Sequence, residues 1–102
     1  MILTGKQKRY LRSLGVNEKA VVTVGKEGLS TNLIDSLNNA LNARELVKVN
    51  VLKSYEDDLD TLAFDIAMHT KSSVVQQMGR TILLYKKARN PKIILPWVKL
   101  EY

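Results

Sequence analysis

Apolar residues recur along the chain with two periods, one typical of helices and one typical of strands. Spacings of three to four residues predict helices over residues 4–15, 30–43 and about 57–70. Short runs rich in valine or leucine predict strands over residues 20–24, 46–52, 74–78 and 81–86. A tight turn at Gly79-Arg80 joins the last two strands. The pattern also allows a final extended segment over residues 92–95.

The order of these elements is helix, strand, helix, strand, helix, strand, strand. Alternation of strands with helices predicts right-handed parallel crossovers, and the closing hairpin adds an antiparallel strand. The expected fold is α/β, of the two-layer α+β kind, with a small mixed four-stranded sheet and both crossover helices on one face. We expect one domain over residues 1–96 and a short tail over residues 97–102.

Charge is distributed unevenly along the 102 residues. The chain carries 16 Lys and Arg against 10 Asp and Glu, a formal charge of +6. Residues 54–70 hold five of the acids and no Lys or Arg. A fold that gathers the cations on one face suits a polyanionic partner, although many small proteins carry a basic surface for solubility alone.

Composition excludes several classes of protein. The absence of cysteine excludes disulfide scaffolds and thiolate metal sites. No uninterrupted apolar run is long enough to cross a bilayer, and the N-terminus becomes basic too early for a signal peptide. We therefore expect a cytoplasmic monomer without membrane partners.

A short loop with a glycine at each end connects the first strand to the second helix. Gly25 and Gly28 enclose Lys26 and Glu27, and the helix begins at about Ser30. Glycine allows close approach to the backbone, and the following helix N-terminus offers free N–H groups, so this loop can seat a phosphate. An ordinary turn is the alternative interpretation, since G-x-x-G is common by chance.

The first predicted helix is basic on its outer face. Its cations are Lys6, Lys8, Arg9 and Arg12, and no acid occurs between Thr4 and Gly15. A surface evolved only for solubility usually mixes the two signs, so this face favours binding of an anion.

Residues suited to catalysis or metal binding are scarce. The single histidine, His69, has no evident partner nearby and is interpreted as a surface or boundary residue. Asp57 or Asp58 caps the third helix, where aspartates favour the helix dipole, and no calcium-loop spacing surrounds them. We expect no enzymatic activity, no metal and no cofactor.

Five segments together resemble the YhbY-type CRM domain proteins. They are LTGKQKRYLR at residues 3–12, VGKEGLS at 24–30, ELVKV at 45–49, LLYK at 83–86 and PKIILP at 91–96. The resemblance implies a fold like the C-terminal domain of bacterial translation initiation factor three. It also implies RNA binding, with stand-alone bacterial members associated with precursors of the large ribosomal subunit. Glu27 departs from this pattern, because a neutral residue is common there.

The residues that the resemblance and the loop chemistry assign to RNA are Gly25, Lys26, Glu27, Gly28, Ser30, Lys6, Lys8, Arg9 and Arg12. We expect the loop and the basic helix to bind the RNA backbone by charge and shape. Two alternatives stay open at this point. One is a general nucleic-acid or polyanion-binding module, and the other is a protein adaptor that uses Trp97 and the polar second helix.

Overall fold

The computed structural model describes residues 2–89 and 91–95 and contains three helices and four strands in the predicted order. The elements are α1 Gly5–Gly15, β1 Ala20–Val24, α2 Thr31–Arg44, β2 Leu46–Val51, α3 Leu59–Thr70, β3 Ser73–Met78 and β4 Thr81–Tyr85. Residues 92–95 form no strand, and the predicted tail over residues 97–102 lies outside the described residues. None of the described helices is long and apolar enough to span a membrane.

Local side-chain chemistry sets where α1 and α3 begin. Thr4 Oγ1 accepts the N–H of Gln7 at 3.1 Å, and Gln7 Oε1 accepts the N–H of Thr4 at 3.0 Å, which is a complete capping box. Asp58 Oδ2 accepts the hydroxyl and the N–H of Thr61 at 2.7 and 2.9 Å. These bonds lower the pKa of Asp58, so one member of the acidic segment has a capping role.

The four strands form one mixed sheet in the order β1-β2-β4-β3. β1 and β2 are parallel, whereas β4 is antiparallel to both of its neighbours. The carboxyl ends of β1, β2 and β3 therefore lie at the same end of the sheet as Thr81, the first residue of β4. We call this the loop end, because the glycine loop follows β1 there.

The larger hydrophobic core lies between the sheet and the helices α2 and α3. Alternate residues of β2, namely Val47, Val49 and Val51, point into it and are almost fully buried. Leu37 and Leu41 from α2 and Ile66 from α3 complete its centre. The expectation that both crossover helices share one sheet face is confirmed.

A second, smaller core lies on the opposite sheet face and corrects the expected number of layers. Its members are Leu3, Leu11, Leu46, Val75, Leu83, Tyr85 and Leu95. Leu46, Leu83 and Tyr85 alternate with residues of the larger core, so α1 and the segment ending at Leu95 cover the other side of the sheet. The α+β class and the mixed sheet are confirmed, but the layers number three because α1 does not pack beside α2 and α3.

A buried carboxylate fixes the segment that follows β4. Glu45 is 1% exposed, and its side chain accepts the backbone N–H groups of Ala88, Lys92 and Ile93. Burial alone would raise the pKa of Glu45, but these three bonds and the charge of Lys92 together outweigh it, and the pKa lies below its ordinary value. The ionised carboxylate is therefore the form that holds Ala88, Lys92 and Ile93 in place.

Candidate nucleic-acid interface

The glycine loop is a tight turn at the loop end of the sheet. The N–H of Gly28 donates to the carbonyl of Gly25 at 3.0 Å, which closes the turn. Gly28 has a φ of 69°, in the left-handed region that favours glycine. A Cβ on Gly28 would lie 2.7 Å from Cε1 of Tyr55, so the aromatic ring also requires glycine there. Gly28 is buried and has a structural role, and its amide is already bonded within the turn.

The two residues between the glycines are both exposed. The N–H groups of Lys26 and Glu27 meet no acceptor within residues 2–89 and 91–95. Glu27 forms no salt bridge with any cation in that part of the chain. An anion above the turn would therefore meet two free amides and the Lys26 ammonium, with the Glu27 carboxylate beside them.

Ser30 performs a specific task at the start of α2. Its Oγ accepts the N–H of Leu33 at 3.1 Å, which caps the helix. A cavity of about 420 Å³ is lined by the loop, by Ser30 and by the first turns of α2. The positive end of the α2 dipole points into this region and favours a bound anion.

Two residues that the sequence reasoning did not assign to the site hold the loop in position. The Arg80 guanidinium donates to the carbonyls of Leu52 and Tyr55 at 2.8 and 3.1 Å. Tyr55 in turn packs against Gly28. Arg80 therefore supports the loop from the neighbouring turn. The only sequence signal was the position of Arg80 in the hairpin turn, which does not reveal a partner 25 to 28 residues away.

The cations of α1 form a separate group on the other side of the sheet. Lys6, Lys8 and Arg9 are exposed, and Arg12 is half-buried. The cavity at the glycine loop has no lining residue from α1 in the part of the chain that the structure describes. The structure thus places the basic helix and the glycine loop in different layers, and it does not gather them into one cavity.

An open part of the sheet lies between these two groups. Strand alternation directs Thr23, Lys48, Asn50 and Thr81 to the α1 side of the sheet. Thr23 is exposed and the other three are half-buried, because α1 covers only part of this face. The alternation of residues in β2 places Lys48 and Asn50 on the face away from Val47, Val49 and Val51, but no local pattern connects them with the loop or with α1.

The acidic segment belongs to the opposite layer. Asp60 and Asp65 lie in α3, and Asp58 caps it, on the sheet face away from α1. His69 is exposed, and its Nδ1 lies 2.8 Å from the carbonyl of Asp65. The described residues contain no cluster of three or more His, Asp or Glu suited to a metal ion. The sheet therefore separates the acids of α3 from the cations of α1.

Comparison with known proteins adds independent information. The model of the CRS1 / YhbY (CRM) domain family matches residues 3–86. The chain is 44% identical over 96 residues to the "Probable RNA-binding protein YqeI" of Bacillus subtilis, covering 93% of this chain and 100% of that protein. It is 36% identical over 92 residues to the "Probable RNA-binding protein PA4753" of Pseudomonas aeruginosa, covering 90% and 86%.

A solved structure agrees with the fold. The solution structure of the hypothetical protein SAV1595 from Staphylococcus aureus superposes with a TM-score of 0.80 at 43% sequence identity, covering 93% of this chain and 100% of that one. The match of the family model runs from the residue before Thr4 to the residue after β4 and includes the glycine loop. This chain belongs to the CRS1 / YhbY (CRM) domain family.

Proposed function

We propose that the chain is a non-enzymatic RNA-binding domain that acts in the cytoplasm on ribosomal RNA, in precursors of the large ribosomal subunit. The observation that carries RNA binding is the exposed turn at Lys26, backed by the N-terminus of α2. Relatives that match nearly the whole chain carry the name "Probable RNA-binding protein". The bacterial members that the sequence resembles supply the ribosomal assignment.

The proposed contact uses charge and backbone geometry. The free amides of Lys26 and Glu27 bind one phosphate at the start of α2, and the Lys26 ammonium binds that phosphate or its neighbour. Lys6, Lys8, Arg9 and Arg12 neutralise phosphates farther along the strand, on the α1 side of the sheet. The RNA therefore passes around the loop end of the sheet, because the two groups of contacts lie in different layers.

Equilibrium binding over a range of salt concentrations tests the electrostatic part of this proposal. If about four to six phosphates are contacted, log K falls against log salt with a slope of roughly −3 to −5. The probe is a structured fragment of large-subunit ribosomal RNA, with duplex DNA of equal length as competitor. Equal competition by the DNA would favour a general polyanion-binding module.

Crosslinking in cells tests the ribosomal assignment. The protein is crosslinked to RNA, and the attached fragments are sequenced. We expect the fragments to concentrate in large-subunit ribosomal RNA that carries precursor ends. Fragments spread over unrelated transcripts, or a partner that remains bound after nuclease treatment and high salt, would contradict it.

A further inference from the structure

A second cavity lies on the α1 side of the sheet, separate from the one at the glycine loop. Its volume is about 290 Å³, close to the lower end of small-molecule sites at roughly 300 Å³. Arg12 of α1 and Val16, which follows α1, border it on one side, and Lys48, Gln76, Met78 and Leu83 border it from three strands of the sheet. This size suits one flat ring system and is too small for a folded peptide.

The cavity exists because α1 ends in the middle of the sheet face. Gly15, the last residue of α1, packs directly on Leu83, where a Cβ would lie 2.6 Å from Cδ2. The helix therefore rests close to the sheet at that point, and the chain then turns away toward β1. The part of the face beyond it is left partly uncovered, so that Lys48 is half-buried and Met78 is exposed.

The lining combines apolar surface with positive charge. Leu83 is buried beneath, whereas Val16 is 78% and Met78 66% exposed at the margin. Arg12 and Lys48 supply two cations, and no acid among the described residues lines the cavity. Within residues 2–89 and 91–95 neither cation forms a salt bridge.

A hydrogen-bonding group is also available there. The side-chain amide nitrogen of Gln76 lies 4.0 Å from the sulfur of Met78, which is a weak acceptor. The amide can therefore exchange this contact for the edge of a base, since a primary amide offers both donors and an acceptor.

We propose that this cavity binds one unpaired nucleobase of the RNA, which rests on the RNA binding proposed above. The ring lies against Met78 and Val16, the Gln76 amide bonds its edge, and Arg12 and Lys48 bind the flanking phosphates or stack on the ring. A phosphate alone would use the two cations but not the apolar margin. A duplex would keep its bases stacked and out of reach, so the site selects single-stranded RNA.

The cavity also links the two groups of backbone contacts. Arg12 belongs to the basic face of α1, while Thr81, which borders the cavity, stands at the loop end of the sheet. A strand that contacts Lys26 can continue past Asn50 and Thr81 and place one base beside Lys48.

A pair of oligonucleotides with the same backbone charge tests this site. One is a single-stranded RNA decamer of mixed sequence, and the other is a decamer built from stable abasic spacers. The wild-type protein binds the RNA at least about fivefold more tightly, within the range measured for stacking of one base on a protein. The Lys48→Ala/Gln76→Ala variant loses most of this ratio, whereas Lys71→Ala, which removes one charge on the far side of the sheet, retains it.

Two results would overturn the base site. The first is equal affinity of the wild-type protein for both decamers, which needs no variant and is unaffected by folding defects. The second is an unchanged ratio in the double variant at an unchanged melting temperature. A different result would contradict the RNA-binding proposal itself: the wild-type protein would bind neither decamer and would not bind structured ribosomal RNA.

Discussion

Tyr55 lies against Gly28 so closely that the loop between β1 and α2 accepts no side chain at that position. A Cβ on Gly28 would lie 2.7 Å from Cε1 of the tyrosine, and the φ of 69° independently favours glycine. Gly25, at the other end of the same turn, is open, because a Cβ added there would meet no atom within 4 Å. The two glycines of one motif therefore have different reasons to be present.

We expect Gly28→Ala to destabilise the fold by about 2–5 kcal/mol. Left-handed backbone costs an L-residue roughly 1–2 kcal/mol, and displacing a packed ring adds about 1–3 kcal/mol. Chemical denaturation followed by circular dichroism measures the change. A free energy of unfolding within about 0.5 kcal/mol of the wild type would show that Tyr55 moves aside at little cost.

Gly25→Leu, in contrast, is expected to reduce RNA binding and leave the fold intact. The position is open, so the melting temperature stays close to that of the wild type. A leucine side chain keeps a phosphate away from the amides of Lys26 and Glu27, and the loss of such a charged hydrogen bond corresponds to about tenfold in affinity. Gly25→Ala serves as the smaller step in the series. Full affinity in both variants, measured by filter binding, would exclude the loop as a contact.

Replacing one lysine of the loop should change the salt dependence as well as the affinity. Lys26→Ala removes one phosphate contact, so the slope of log K against log salt becomes shallower by roughly 0.7–0.9. The matched control is Lys71→Ala, which lowers the net charge equally but lies after α3, away from the loop end. If both variants shift the slope by the same amount, net charge rather than the loop governs binding.

Glu45→Gln is expected to destabilise the protein at neutral pH by about 1–3 kcal/mol, because an amide cannot accept all three N–H groups of Ala88, Lys92 and Ile93. The pKa of Glu45 in the folded state lies below its ordinary value of 4.5. Its stabilising contribution is therefore complete above that value and is lost as the pH falls through the lowered folded pKa.

The pH dependence of stability distinguishes loss of the Glu45 charge from a purely steric effect of the substitution. Urea denaturation of wild type and Glu45→Gln at pH 7 and at about pH 3 should show a difference that shrinks in acid. Hydrogen exchange at Lys92 and Ile93 should also be faster in the variant at pH 7. A difference in unfolding free energy that is constant over this range would mean that the charge of Glu45 is not involved.

Substitution by glycine should have opposite effects on stability at two non-glycine residues with positive φ. Lys71 has φ 55° and ψ 39° directly after α3, and Lys71→Gly should stabilise by about 0.5–1 kcal/mol because glycine relieves the left-handed strain. Glu45, with φ 64°, also follows a helix, but Glu45→Gly removes the buried carboxylate and should destabilise. Thermal melts of both variants test this contrast, and a stabilised Glu45→Gly would show that backbone strain outweighs the three hydrogen bonds.

The sequence by itself determined the elements and much of their chemistry. Capping groups such as Thr4 and Asp58 act within three residues, and the alternation of Val47, Val49 and Val51 reports which side of β2 is buried. These are short-range effects, so the helices, strands, mixed sheet and shared face of α2 and α3 were predictable. The basic face of α1 followed from the same local patterns.

Only the tertiary structure decided how these pieces meet. An amphipathic pattern states that α1 has an apolar face, but it does not state which side of the sheet receives that face, because that choice depends on contacts with Leu46, Leu83 and Tyr85 far along the chain. Gly28 and Tyr55, Tyr55 and Arg80, and Arg12 and Lys48 are likewise far apart in sequence. The loop and the basic helix were expected to form one RNA-binding surface. Long-range packing instead places them in different layers, with an open part of the sheet face between them.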